Sequence, residues 1–247
     1  MKIKSLAIIV FILLLAGCKK QSIELNFEPI ENFFPIKKGS AITYRYDSTA
    51  YNGINNAKSI NTYLVRDVLD SSITDNLGKI SFVFKRSIRN QIDTTKWELL
   101  SSYRVTIDSN KLYLTENNLR FIKLVNPIRE GYSWNGNSFI NVNENSGLDY
   151  YQGWEYTYGK PNEPLTINTI PFASTLTVLH KNDTIGNPTD RKQYSSILFS
   201  KEIYAKEVGL IYKEFLKETW QPPNSNNPNG YFEKNSFGIK MSVLSTK

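Results

Sequence analysis

Strict alternation of apolar and polar side chains recurs along most of this chain and constrains its fold more than any other feature. Residues 41–51 read AITYRYDSTAY, with Ile42, Tyr44 and Tyr46 on one face, and residues 79–88 alternate in the same way. Similar runs rich in Thr, Tyr, Val, Ile and Phe occupy residues 59–69, 97–107, 111–115, 119–125, 174–180 and 237–244. This period of two predicts half-buried antiparallel strands.

Turn residues fall between these runs at a spacing typical of a meander. Asn52-Gly53, Asn76-Leu77-Gly78 and Asn117-Asn118 supply the positive φ values that tight hairpins need. Aromatic residues make up 13% of the chain, too many for a disordered protein, and a single cysteine excludes an internal disulfide framework. We therefore expect one mostly β domain over residues 33–247, an antiparallel meander forming a curved sheet or open β-barrel with at most one or two short helices.

Residues 206–220 (KEVGLIYKEFLKETW) fit two predictions. Val208, Ile211, Phe215 and Trp220 recur near helical spacing, which favours a helix. Gly209 near the start of the segment and Tyr204 before it also permit a strand leading into a tight turn. Periodicity alone favours the helix, and both alternatives stay open.

The first 17 residues have the layout of a secretory signal peptide. Lys2 and Lys4 precede an apolar run over residues 6–15, which Ala16 and Gly17 follow. The run is shorter than the 20 or so residues that a membrane-spanning helix needs. We expect residues 1–17 to be removed on export.

Leu15-Ala16-Gly17-Cys18 resembles the lipobox of bacterial lipoproteins. The resemblance implies cleavage before Cys18, acylation of its sulfur and new N-terminus, and attachment to a membrane through fatty chains such as palmitate. Residues 18–32 would then form a lipidated tether. Lys19 stands where an inner-membrane retention Asp would be, so the resemblance implies the outer membrane, with the periplasmic side slightly favoured over the cell surface.

Two further motifs resemble elements of uncharacterised lipoproteins from Bacteroidota. One is Pro35-Ile36-x-x-Gly39 leading into Tyr44, and the other is the Tyr-Ala-x-x-Val-Gly-Leu-x-Ile element at residues 204–211. In those proteins the Val-Gly-Leu usually starts a strand, which favours a strand after residue 208. The resemblance implies no activity.

Charge gives little indication of a partner. The chain has a formal net charge of +7, but its basic residues, among them Arg86, Lys213 and Lys217, are scattered. We expect these side chains to be solvated, and we expect no nucleic-acid partner because no binding motif accompanies them.

Few side chains could support catalysis. His180 is the only histidine, and we expect it to be a half-exposed sheet residue; neither a metal site nor a cofactor is expected. Asp149 and Glu155 are the only carboxylate pair we can name, and they could face each other if Gln152-Gly153 formed a hairpin turn. The prediction is a non-enzyme, with a glycan-cleaving envelope enzyme as the alternative.

Aromatic side chains concentrate in one region among several asparagines. Aromatic faces with amide neighbours suit sugars or peptides, although the same rings could instead fill the core. The candidate ligand-binding residues are Trp134, Tyr150, Tyr151, Trp154, Tyr156 and Tyr158. We therefore expect an envelope lipoprotein that binds a ligand, a glycan or an envelope-protein partner.

Overall fold

The computed structural model describes residues 28–52, 57–92, 96–108 and 110–247. Within these ranges the chain forms one antiparallel sheet of 14 strands, which confirms the predicted single, mostly β architecture. The strands are β1 (Ala41–Asn52), β2 (Ala57–Thr74), β3 (Ile80–Asn90), β4 (Glu98–Asp108), β5 (Lys111–Glu116), β6 (Leu119–Val125), β7 (Ser133–Trp134), β8 (Tyr156–Tyr158), β9 (Glu163–Ile167), β10 (Ile170–Ile185), β11 (Ser195–Ala205), β12 (Gly209–Gln221), β13 (Tyr231–Phe232) and β14 (Phe237–Thr246). Three short 3₁₀ helices span Ile30–Phe33, Glu144–Ser146 and Asp149–Tyr151.

The sheet curls until its two edges nearly meet. Its main path follows the order β6-β5-β4-β3-β2-β1-β14-β12-β11-β10-β8-β7. At the seam, the Ile122 N–H donates to the Gly136 carbonyl over 2.8 Å, and the Trp134 indole N–H donates to the Ile122 carbonyl over 2.8 Å. These bonds join β6 to the segment containing β7, so the sheet forms a nearly closed barrel.

Side chains alternate between the two faces of each strand, and those on the inner face fill the interior of the barrel. Partners across a strand pair share a face of the sheet. Tyr44 of β1 lies opposite Val65 of β2 and Val243 of β14, and all three side chains are buried. The same inner face carries the aromatic stack of Phe84 and Tyr103, whose ring centroids lie 5.1 Å apart.

A short helix closes one end of the barrel. Ile30 and Phe33 of the first 3₁₀ helix are buried in the main apolar cluster. The Glu207 N–H donates to the Asn32 carbonyl over 2.7 Å, which ties the helix to the turn between β11 and β12. Residues that the sequence assigns to the tether therefore form part of the folded domain.

Residues 209–221 form strand β12, which resolves the choice between helix and strand. The period of two is obscured there because β12 has apolar contacts on both faces. The hairpin of β9 and β10 covers the outer face, where Phe172 belongs to the same apolar cluster as Ile203 and Tyr212. At its tip, the Asn168 amide donates to the Val243 carbonyl of β14 over 3.0 Å.

The predicted signal peptide, Cys18 and most of the predicted tether lie outside the described residues. Among the residues that are described, no helix has the length and apolar character needed to cross a membrane.

Candidate binding site inside the barrel

The six predicted aromatic residues lie together but do not form an exposed face. Three of them are half-buried, namely Trp134, Tyr150 and Tyr151. The other three are buried, namely Trp154, Tyr156 and Tyr158. The rings of Trp134 and Tyr158 pack 4.6 Å apart, and the Tyr158 hydroxyl donates to the Val125 carbonyl over 2.8 Å. These two rings therefore fill the core, whereas Tyr151, Trp154 and Tyr156 line a cavity in the barrel.

The predicted carboxylate pair lies at the surface. Asp149 begins the third 3₁₀ helix, and Glu155 immediately precedes β8. Both residues are exposed. The residues between them form that short helix and a turn at Gly153 with no strand pair around it, so the hairpin that would bring the two carboxylates together does not form.

The first of two charged clusters inside the barrel is organised by Arg86. Its guanidinium binds both oxygens of the Asp67 carboxylate, over 2.8 and 2.7 Å, and one oxygen of Glu116 over 3.1 Å. The Tyr103 hydroxyl also donates to Asp67, over 3.0 Å. Bidentate pairing of this kind is the strongest geometry for an arginine and a carboxylate. The prediction that Arg86 is solvated is wrong, because its side chain points into a nearly closed barrel.

The second cluster is organised by Glu202 of β11. The Lys123 ammonium donates to Oε1 over 2.7 Å, and the Tyr204 hydroxyl donates to Oε2 over 2.6 Å. Lys213 lies 3.8 Å from Oε1, too far for a hydrogen bond. Burial alone would raise the pKa of Glu202, but its basic neighbours, Lys123 foremost, together outweigh burial and hold that pKa below its ordinary value.

His180 belongs to this second cluster and is buried, so its predicted half-exposed position is wrong. Its ring stacks on Tyr156 with centroids 3.9 Å apart, and Nδ1 lies 3.1 Å from the Ser200 hydroxyl. Burial lowers the pKa of His180 well below its ordinary value, and the nearby charge of Lys123 adds to that effect, so the imidazole is neutral.

One ring nitrogen of His180 has no hydrogen-bond partner among the residues that the structure describes. Nε2 is buried and lies 3.6 Å from Oε2 of Glu202, beyond hydrogen-bonding range. We assign the proton to Nε2, because the carboxylate attracts it there and Ser200 can then donate to Nδ1. A buried donor without a partner costs about 1–3 kcal/mol, which an occupant of the adjoining cavity could recover.

Three neighbouring cavities lie beside the two charged clusters and share lining residues. Their volumes are about 50, 110 and 300 Å³, and all three are lined by both Glu116 and Lys213. The 110 Å³ cavity reaches His180. The 300 Å³ cavity is lined by the exposed residues Leu100 and Asn117, which places it at the mouth of the barrel. The part of the barrel interior that side chains do not fill is thus a polar pocket with aromatic walls.

The sequence contained a signal for these interior charges. Asp67 has the same phase along β2 as the buried residues Val65 and Leu69, and Lys123 interrupts the buried run of β6. A charge in phase with an apolar face predicts a buried partner. The identity of that partner depends on the closure of the barrel, since Lys123 and Glu202 are 79 residues apart.

No known protein family matches the sequence, and no curated protein is significantly similar to it. Within the described ranges, no group of three or more His, Cys, Asp or Glu side chains is arranged to hold a metal ion.

Proposed function

We propose that this protein is a non-enzymatic binding protein of the bacterial cell envelope that holds a small ligand inside its barrel. The single observation that carries the proposal is the pocket between the two charged clusters, reached through the mouth beside Leu100 and Asn117. Binding pockets for small molecules combine apolar walls with a few fixed polar groups. The aromatic wall of Tyr151 and Trp154, facing Lys213 and His180, has that composition.

The location is proposed on the N-terminal sequence. The short apolar run followed by Cys18 supports a lipid-anchored protein of the Bacteroidota type in the outer membrane, facing the periplasm. Several fatty chains on one residue would anchor the domain stably without a spanning helix. Incorporation of labelled palmitate tests this: we expect label in the wild type and none in Cys18→Ser, and absence of label from the wild type would reject the anchor.

Native mass spectrometry tests the binding function. The protein is isolated from the envelope in which it is made, incubated with low-mass solutes extracted from that envelope, and weighed intact. We expect an additional mass that denaturation releases. Wild-type protein with no additional mass after incubation would contradict the proposal.

A pair of adjacent leucines provides matched variants for the same measurement. Leu100 lines the mouth cavity, whereas its neighbour Leu99 is exposed on the strand without lining that cavity. Leu100→Trp should therefore block entry and abolish the additional mass, and Leu99→Trp should retain it. Equal retention by both variants would place the bound solute somewhere other than the barrel interior.

A further inference from the structure

The two charged clusters leave opposite charges unbalanced on the two sides of the pocket. Arg86 stands against two carboxylates, those of Asp67 and Glu116. Glu202 stands against two ammonium groups, those of Lys123 and Lys213, while His180 is neutral. One wall of the pocket is therefore net negative and the other net positive.

On the negative wall, Glu116 has an oxygen free to accept another donor. Arg86 and Ser101 both donate to Oε1, over 3.1 and 3.3 Å. Among the described residues, none donates to Oε2. Since Glu116 lines all three cavities, this oxygen is suited to an ammonium group on a bound molecule.

On the positive wall, Lys213 and His180 offer donors. The carboxylate of Glu202 is already occupied by Lys123 and Tyr204, and it leaves Lys213 at 3.8 Å. His180 adds its unpartnered Nε2 in the same cavity. An ammonium and a neutral N–H are a suitable pair for a carboxylate on the bound molecule.

Aromatic rings line the same cavity as these charged groups. The rings of Tyr151 and Trp154 lie 5.0 Å apart, and those of Trp154 and Phe215 lie 5.4 Å apart. All three residues line the cavity that also holds Lys213 and Glu116. Such walls favour a flat apolar group on a molecule whose charged groups bind beside them.

We infer that the pocket binds a small zwitterion, a free amino acid with an aromatic side chain, whose carboxylate meets Lys213 and His180 and whose ammonium meets Glu116. This inference rests on the proposed binding function and adds the chemical class of the ligand. Because the ammonium and the carboxylate meet protein groups of opposite charge, binding depends on both groups together.

Titration calorimetry with three related probes tests the class. L-phenylalanine carries both charges, 3-phenylpropanoate lacks the ammonium, and 2-phenylethylamine lacks the carboxylate. We expect L-phenylalanine to bind about tenfold or more tightly than either truncated probe, because each lost end leaves a charged protein group unpaired. Equal binding of the three probes, or no heat from L-phenylalanine up to its solubility limit, would overturn the inference.

Variants assign each end of the zwitterion. Lys213→Met should bring L-phenylalanine and 2-phenylethylamine to similar affinity, and Glu116→Gln should do the same for L-phenylalanine and 3-phenylpropanoate. Lys201→Met is the matched control, because Lys201 precedes Glu202 on β11 and faces the outside, over the ring of Tyr212. Loss of discrimination in Lys201→Met as well would contradict the assignment.

This experiment separates the two proposals. If L-phenylalanine produces no heat while native mass spectrometry finds a bound solute that Leu100→Trp excludes, the barrel binds a ligand of another class and only the further inference fails.

Discussion

The two charged clusters inside the barrel both combine carboxylates with basic side chains, and they differ in how closely these groups are paired. Arg86 binds Asp67 through two bonds of 2.7 and 2.8 Å, a rigid arrangement. Around Glu202, by contrast, Lys213 and His180 lie at 3.8 and 3.6 Å, too far to hydrogen-bond. The comparison teaches that the Arg86 cluster is held by short, direct bonds, whereas the Glu202 cluster leaves two of its polar groups beyond hydrogen-bonding range beside a cavity.

The largest expected effect comes from breaking the bidentate pair of Arg86 and Asp67. Arg86→Met leaves the buried carboxylate of Asp67 without its cation and should lower the free energy of unfolding by about 3–5 kcal/mol in urea denaturation. Arg45→Met is the control, because Arg45 pairs with Asp47 at the surface and should lose less than about 1 kcal/mol. Similar losses in the two variants would contradict a structural role for the Arg86 cluster.

Overpacking beside the second cluster should have the next largest effect. A Cβ added at Gly136 would overlap the ring of Tyr156, which stacks on His180. Gly136→Ala should therefore cost about 1–3 kcal/mol of unfolding free energy. Tyr156→Leu makes room, so a double-mutant cycle should show a favourable coupling between the two changes, and additive losses would argue against the overlap.

Stability should also depend on pH through His180. Its pKa in the folded protein lies well below the ordinary 6.5, so below pH 6.5 the unfolded chain binds a proton that the folded chain does not. Stability should therefore fall as the pH is lowered from 6.5 towards 5, by up to about 1.4 kcal/mol per pH unit. The charged groups that face His180 are Glu202, Lys123 and Lys213.

His180→Gln isolates this contribution, because the chain has no other histidine. Urea denaturation at several pH values should give a flatter dependence between pH 6.5 and 5 in the variant. An unchanged slope would show that the imidazole is protonated in the folded protein.

The smallest expected effect on stability comes from the loosely held cation. Lys213→Met removes a half-exposed ammonium whose ion pair spans 3.8 Å, so we expect a loss of less than about 1 kcal/mol in urea denaturation. A loss as large as that of Arg86→Met would show that Lys213 is structural and would remove the distinction between the two clusters.

The strands were predictable from the sequence because their alternation is local. The i, i+2 spacing of Phe82 and Phe84, or of Tyr44 and Tyr46, shows within a few residues which side chains share a face of the strand. Strand β12 was ambiguous because the β9–β10 hairpin covers its outer face, so both of its faces carry apolar residues. Local periodicity cannot reveal a second layer that forms from a distant hairpin.

The pocket was only partly predictable. The aromatic density directed attention to residues 134–158, and of the six residues predicted there Tyr151, Trp154 and Tyr156 line the cavity. The charged and polar side chains around the cavity come from β5, β6, β10, β11 and β12. Only closure of the barrel brings these strands together. Their ligand role remains a prediction.

The imidazole spectrum of His180 tests the central claim most directly, because the only histidine of the chain lies in the proposed pocket. In ¹⁵N-labelled protein at neutral pH, the spectrum should show one neutral ring with its proton on Nε2. Adding L-phenylalanine should shift the Nε2 signal progressively to saturation in the wild type, and the shift should weaken in Lys213→Met. Ring signals that stay unchanged throughout the titration would contradict binding inside the barrel.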